Sequence, residues 1–305
     1  MTDTLSQYSV LALYSAMAIY AIAFVLFTLD LAKGASDDSS AVGEAKKVVV
    51  VPERRKLARV AMALTVIGFL LQLAATLMRG FAASRVPWAN MYEFAMTGTL
   101  IIVGVFLLVN LKWDMKFLGS FVTGLVLLLL GLAATRYYVE IVPLPPALQS
   151  YWLVIHVFVA TLATGFFALG FALSLMQLLQ TKRENAAAAK EKTRLGFLTR
   201  LPDSVQLENY AYRLIIIGFV LWTFTLIAGA IWAEKAWGRY WGWDTKEVWT
   251  FIIWTIYAGY IHARSTRGWR GSRSAWLAMV GFAAVMFNFT VVNIFFKGLH
   301  AYSGL

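Results

Sequence analysis

The chain has 305 residues, of which 60% are apolar and 14% charged, with mean hydropathy +0.68, no cysteine and a formal charge of +11. A soluble domain averages about half apolar and a quarter charged, so this composition points to an integral membrane protein. It excludes a disordered chain and a disulfide-stapled secreted scaffold. It also excludes a thiolate metal site, a thiol nucleophile or a resident dithiol, and three histidines leave few candidates for metal or general-base chemistry.

Roughly 30 Å of hydrocarbon needs about 20 apolar residues at about 1.5 Å rise each. Eight segments qualify, at about 9–32, 57–78, 94–111, 117–134, 151–180, 213–232, 249–263 and 275–296, the seventh being the shortest. Nothing basic precedes the first segment and no small-residue cleavage site follows it, so it is expected to be a retained span. Of the 27 Lys and Arg residues, 20 fall in the connections after spans one, three, five and seven. By the positive-inside rule those connections face the cytoplasm. After subtraction of acids, +10 lies inside and +1 outside. The charge is an orientation signal and predicts no nucleic acid partner.

The expected fold is all-α, a polytopic integral membrane bundle of about eight transmembrane helices with both termini on the outer face. It forms a single membrane domain over 1–305: the first span at 9–32, a flexible cytoplasmic loop at 33–56, and spans two to five over 57–180. A basic cytoplasmic loop follows at 181–212, then spans six to eight over 213–305, with a tryptophan-rich loop at 233–249. The 181–212 loop contains an Ala/Lys/Glu helix around 184–194, and Asp203 with Gln206 makes a capping box leading into span six. No fixed-period repeat, glycine-rich phosphate loop, HExxH or GxSxG pattern occurs.

Twelve tryptophans spread evenly would place about 0.7 in an 18-residue window, yet residues 237–254 hold five: Trp237, Trp241, Trp243, Trp249 and Trp254. One reading is an interfacial aromatic belt, although belt residues are normally dispersed over many helix ends. The other is a platform for a flat, apolar, aromatic ligand, with Gly238 and Gly242 permitting close approach. Arg239 and Lys246 would then meet the acidic edge of the ligand through charge-assisted bonds. Asp244 and Glu247 have spacing for a capping box opening span seven, so shaping of the ligand site by Asp244 follows from a local role.

The run WGRYWGWDTKEVW resembles the WWD motif of haem-handling proteins. With Tyr212-Arg213 before it, Trp254-x-x-Tyr257-x-x-Tyr260-Ile261-His262-x-Arg264 after it, and Gly298-Leu299-His300 at the end, the chain resembles the CcsA/ResC-type subunit family of the System II cytochrome c synthase. The likeness is strong over about 200–305 and fair over 87–180, where Pro87-Trp88-Ala89-Asn90-Met91-Tyr92-Glu93 resembles the family's second outer loop. Residues 1–60 carry little of it. Thr245 departs from the family's usual proline, and both residues can start a helix.

His156, roughly 8 Å below Tyr151 at the start of span five, and His300, after span eight, bracket the tryptophan loop at one membrane face. Either one alone reads first as a structural hydrogen-bonding residue, but two neutral imidazoles converging on one platform can take both axial positions of a haem iron. His262 lies roughly 20 Å deeper than Trp249. It is either a functional intramembrane residue or a snorkelling interface residue beside Arg264.

The resemblance implies haem b as substrate, its iron held by His156 and His300 as external ligands and catalytic residues. It implies a second site at His262, completed by a histidine of a CcsB/ResB-type membrane partner, since this chain offers no fourth histidine. Trp237, Arg239, Trp241, Trp243, Asp244, Lys246, Glu247 and Trp249 would shape the haem site. The implied activity is that of a holocytochrome c synthase (haem lyase) subunit in a bacterial cytoplasmic or a thylakoid membrane. It would present haem for thioether attachment to a Cys-x-x-Cys-His apocytochrome c, with a thioredoxin-like reductant for the substrate thiols and membrane lipid around the bundle. A haem exporter or chaperone and a cytochrome b-like electron-transfer subunit are the alternatives.

Overall fold

The computed structural model describes residues 2–40, 55–141, 149–191, 195–266, 268–296 and 298–299. Nine helices run in chain order through these residues: α1 (Thr2–Ser40), α2 (Lys56–Ala83), α3 (Met91–Lys112), α4 (Gly119–Arg136), α5 (Tyr151–Ala188), α6 (Ser204–Trp237), α7 (Thr245–Ser265), α8 (Ser272–Phe289) and α9 (Val291–Phe295). Short 3₁₀ turns at Lys116–Leu118 and Gly196–Arg200 precede α4 and α6. Hydrocarbon offers no partner for backbone polar groups, so a spanning segment must satisfy them internally, as a helix does.

Seven helical segments are long and apolar enough to cross a membrane. Among the eight segments expected from sequence, α7 is the one outside that set. It has the length, at about 31 Å over its 21 residues, but Lys246, Glu247, Thr250, Thr255, His262 and Arg264 interrupt its apolar surface. α1 continues through Ser40, into the segment expected to be a loop. The Ala/Lys/Glu stretch extends α5 to Ala188 and forms no separate helix, because no breaker separates it from the span before it. Asp203 caps α6 as the spacing predicts, with Gln206 N–H donating to Asp203 Oδ1 at 2.7 Å, but the reciprocal half of the box does not form: the Gln206 side chain donates to Asp203 Oδ2 (3.1 Å) and does not pair with the Asp203 backbone.

α1 packs along α2, and α5 along α6; α3 sits against α5, and α8 against both α5 and α7. Lipid supplies little hydrophobic drive for association between spans, so packing and buried polar contacts carry more of it. Gln72 shows how: its amide nitrogen donates to Met96 O (2.9 Å) and Thr99 Oγ1 (2.8 Å), while its oxygen accepts from Tyr20 (2.9 Å), joining α1, α2 and α3.

Two ion-pair clusters pin the ends of the bundle. Arg264 meets Glu208 (3.4 Å) and Asn209 (2.7 Å) and lies over the Tyr212 ring, tying α7 to α6. At the opposite end, buried Glu93 accepts from Arg79 Nε (3.0 Å), Arg85 Nη1 (2.6 Å) and Ala89 N–H (3.0 Å). That second cluster fastens the loop between α2 and α3, which carries Trp88 and Asn90.

Candidate functional site

At the Glu93 end, α3, α5, α6, α7 and α8 enclose a large, mostly apolar chamber. His156 enters it from the second turn of α5. Its Nδ1 lies 3.0 Å from Thr225 O, and its ring stacks on Trp232 at 6.0 Å between centroids and 17° between planes. A carbonyl oxygen only accepts, so Nδ1 donates, and the neutral imidazole carries its lone pair on Nε2. Iron-ligating histidines are commonly held in this way through their second nitrogen. Gly229 makes the approach possible, because a Cβ there would stand 2.8 Å from His156 Cε1.

α6 ends at Trp237 because Gly238, at φ +69°, takes the left-handed conformation that closes a helix, its N–H donating to Glu234 O (2.8 Å). The loop that follows is folded around Glu247. Its Oε2 accepts from Gly242 N–H (2.8 Å) and Asp244 N–H (3.0 Å), and Asp244 with Glu247 forms the capping box that opens α7. Trp243 adopts φ +60°, a conformation rare for a bulky residue, and the residue is 77% exposed.

The five clustered tryptophans therefore have different surroundings. Trp241 lines the chamber. Trp237 braces Trp232 edge-to-face at 4.7 Å, which places it behind the chamber wall. Trp249 packs on Phe287 of α8 at 4.3 Å, and Trp254 donates to Thr223 Oγ1 at 3.0 Å. Trp243 projects outward, edge-on to Trp241 at 6.0 Å.

Lys246 and Glu247 line the chamber. Lys246 Nζ donates to Asn293 Oδ1 and reaches Asn288 O at 3.5 Å. Arg239 and Asp244 lie outside the lining; the Arg239 guanidinium covers Gly242, where an added Cβ would collide with it. His262 sits in the last turn of α7, exposed and away from the chamber, whereas neighbouring Arg264 turns inward. His300 lies outside the described residues, but the chain two residues before it is near the loop: a Cβ on Gly298 would stand 2.5 Å from Asp244 Oδ1.

Sequence reasoning did not assign site roles to Trp88, Asn90, Met91, Trp222 and Trp232, which also line the chamber, nor to Asn288 and Asn293. The two asparagines carried a usable signal, being polar residues inside an otherwise apolar span. The tryptophans of α6 did not, because they are submerged in a uniformly apolar run. No group of three or more His, Cys, Asp or Glu side chains suited to a metal occurs among the described residues.

Fold and site thus define a multi-span helical membrane protein with a histidine-bearing aromatic chamber at one end. The family model described as cytochrome C assembly protein matches residues 88–300. Similar chains include the cytochrome c biogenesis protein CcsA of Trieres chinensis, 33% identical over 255 residues covering 74% of this chain and 81% of that one. The CcsA proteins of Guillardia theta (35% over 234 residues, 72% and 77% covered) and Prochlorococcus marinus (33% over 245 residues, 73% and 78%) are also similar. Among solved structures, cytochrome c haem lyase CcmF shares the fold at TM-score 0.63 and 18% identity; the alignment covers 93% of this chain and 46% of that longer one. The chain belongs to the cytochrome c assembly family as a CcsA-type subunit, and its role is in cytochrome c biogenesis.

Proposed function

We propose that the chamber receives haem b as substrate and presents it at the outer membrane face for thioether attachment to the Cys-x-x-Cys-His segment of an apocytochrome c. The observation that carries this reading is His156, whose Nδ1 is committed to Thr225 O so that its second nitrogen bears the lone pair, in an apolar chamber with Trp232 and Trp241 in its walls. A porphyrin needs that combination: flat apolar contact area and an imidazole lone pair. His156 and His300 are proposed as the iron ligands. The reacting thiols belong to the apocytochrome, which suits a chain with no cysteine. This chain's own contribution is to bind, orient and exclude water.

His262, outward-facing on α7, suits a second site shared with a histidine of a CcsB/ResB-type partner. The distribution of basic residues orients both termini and the chamber outward, in a bacterial cytoplasmic or a thylakoid membrane, the whole chain acting as one membrane domain. A thioredoxin-like protein would keep the substrate thiols reduced. The test is co-expression of this chain with a ResB-type partner and a Cys-x-x-Cys-His apocytochrome in a host lacking its own synthase. Covalent haem on the apocytochrome is expected. Bound haem without covalent transfer would instead support an exporter.

A further inference from the structure

We propose that Asn90 and Lys246 form a carboxylate-binding corner of the chamber, which seats the propionate edge of the porphyrin and so turns its vinyl-bearing half away from that corner. This deepens the haem reading above and rests on it.

Asn90 is the N-cap of α3. Its Oδ1 accepts Glu93 N–H at 2.9 Å, an assignment that commits the other amide atom, Nδ2, to the donor role. Asn90 is 4% exposed and lines the chamber, and Nδ2 has no partner among the described residues. Buried amide donors are nearly always paired in native proteins, so an orphan donor in a ligand chamber marks a place for an acceptor on the ligand.

Lys246 is, among the described residues, the sole Lys or Arg in the chamber lining, and a carboxylate brought against it favours its protonated form. An ammonium has three donors. Two are directed at Asn293 Oδ1 and Asn288 O, which leaves one for a ligand. Asn293 is itself fixed, donating from Nδ2 to Phe289 O (2.7 Å) and reaching Met91 Sδ (3.4 Å). Contacts run from Lys246 to Asn293 and from Asn293 to the side chain of Met91, the residue after Asn90, so Lys246 and Asn90 are linked through one intervening side chain on each side. Two unpartnered acceptors, Glu247 Oε1 and Asn288 Oδ1, also belong to the lining; they take no part in holding an anion. Arg239, the other cation of the loop, is outside the chamber.

Haem b carries both propionates on one edge and both vinyl groups on the other half of the macrocycle. A carboxylate anchor therefore sets the in-plane orientation, which iron ligation alone leaves free to rotate. The donors match a carboxylate, which accepts from an ammonium and an amide N–H at once.

The full-length protein in nanodiscs is titrated with haem b and with haem b dimethyl ester, whose propionates are capped but whose iron and vinyl groups are unchanged. The wild type is expected to bind the free acid about tenfold or more tightly than the ester. Asn90→Asp, which keeps the cap but replaces the donor with an anion, and Lys246→Met are each expected to abolish that preference by bringing free-acid affinity down to that of the ester in the same variant. Asn90→Ser, retaining the cap without the amide donor, provides the same comparison if either variant is unstable. Equal binding of acid and ester by the wild type, or a preference that survives in these variants, overturns the corner and leaves the haem reading intact. If the wild type binds neither porphyrin, the haem reading itself fails and the corner with it.

Discussion

His156 Nδ1 and the carbonyl oxygen of Thr225 stand 3.0 Å apart across the α5–α6 interface. The contact fixes the ring's rotation and its tautomer together, so a single hydrogen bond decides which nitrogen can meet a metal. It also places the imidazole over Gly229, one turn along α6 from Thr225, where the absence of a side chain is the condition for the contact.

Gly229→Ala should displace the imidazole without removing it. A Cβ at 2.8 Å from Cε1 and 3.0 Å from Nδ1 cannot coexist with the ring in its present position. Attachment of haem to a co-expressed apocytochrome is expected to fall by about 10- to 100-fold, the usual range for loss of a ligand's supporting contact. Immunoblots of membrane fractions should show near-normal protein. His156→Gly should do at least as much damage and recover in part when imidazole is added; absence of recovery at normal protein levels points to a structural histidine.

The tryptophans should separate by location. Trp241→Ala should reduce co-purifying haem, read from the Soret band, with little change in thermal stability. Trp249→Ala removes a half-buried contact with Phe287 and should cost on the order of 2 kcal/mol of stability. Trp243→Ala, at an exposed position, should leave melting temperature unchanged.

Glu247→Ala leaves the Gly242 and Asp244 N–H groups without their acceptor and should cost about 1–2 kcal/mol while loosening the loop. Glu247→Gln keeps a side-chain oxygen at that position, and its melting temperature should fall between wild type and alanine. Equal losses for the two variants would show that the carboxylate charge, and not the capping geometry, sustains the loop.

Glu93→Ala removes the buried carboxylate that buried Arg79 and half-buried Arg85 share. A loss of about 3–5 kcal/mol is expected, seen as depletion from membranes and a lowered melting temperature. Removing Arg85 as well should not restore the wild-type level, since Arg79 still needs Glu93.

The chain has no cysteine, so introduced ones report topology without background. With the orientation proposed here, a membrane-impermeant maleimide should label Tyr240→Cys in intact cells and Ala188→Cys only after permeabilisation. The reverse pattern would invert the bundle and remove the outward-facing chamber.

The apolar runs determined the helices and their order, because hydrocarbon thickness and backbone hydrogen bonding leave a spanning segment almost no alternative. Local chemistry was equally readable: Asp203 with Gln206, and Asp244 with Glu247, cap helices through contacts three residues apart. The tryptophan cluster marked the loop, and the resemblance marked the family. Only the tertiary structure distinguished Trp241, in the chamber wall, from Trp249, packed on α8, because identical side chains eight residues apart differ in which neighbouring helix they meet. It likewise brought Asn90 into one chamber with Lys246, 156 positions away, and seated His156 against Thr225. Those relations depend on which helices pack together and how each is rotated, and a uniformly apolar span, with no polar face to mark its interior, leaves both to the packing.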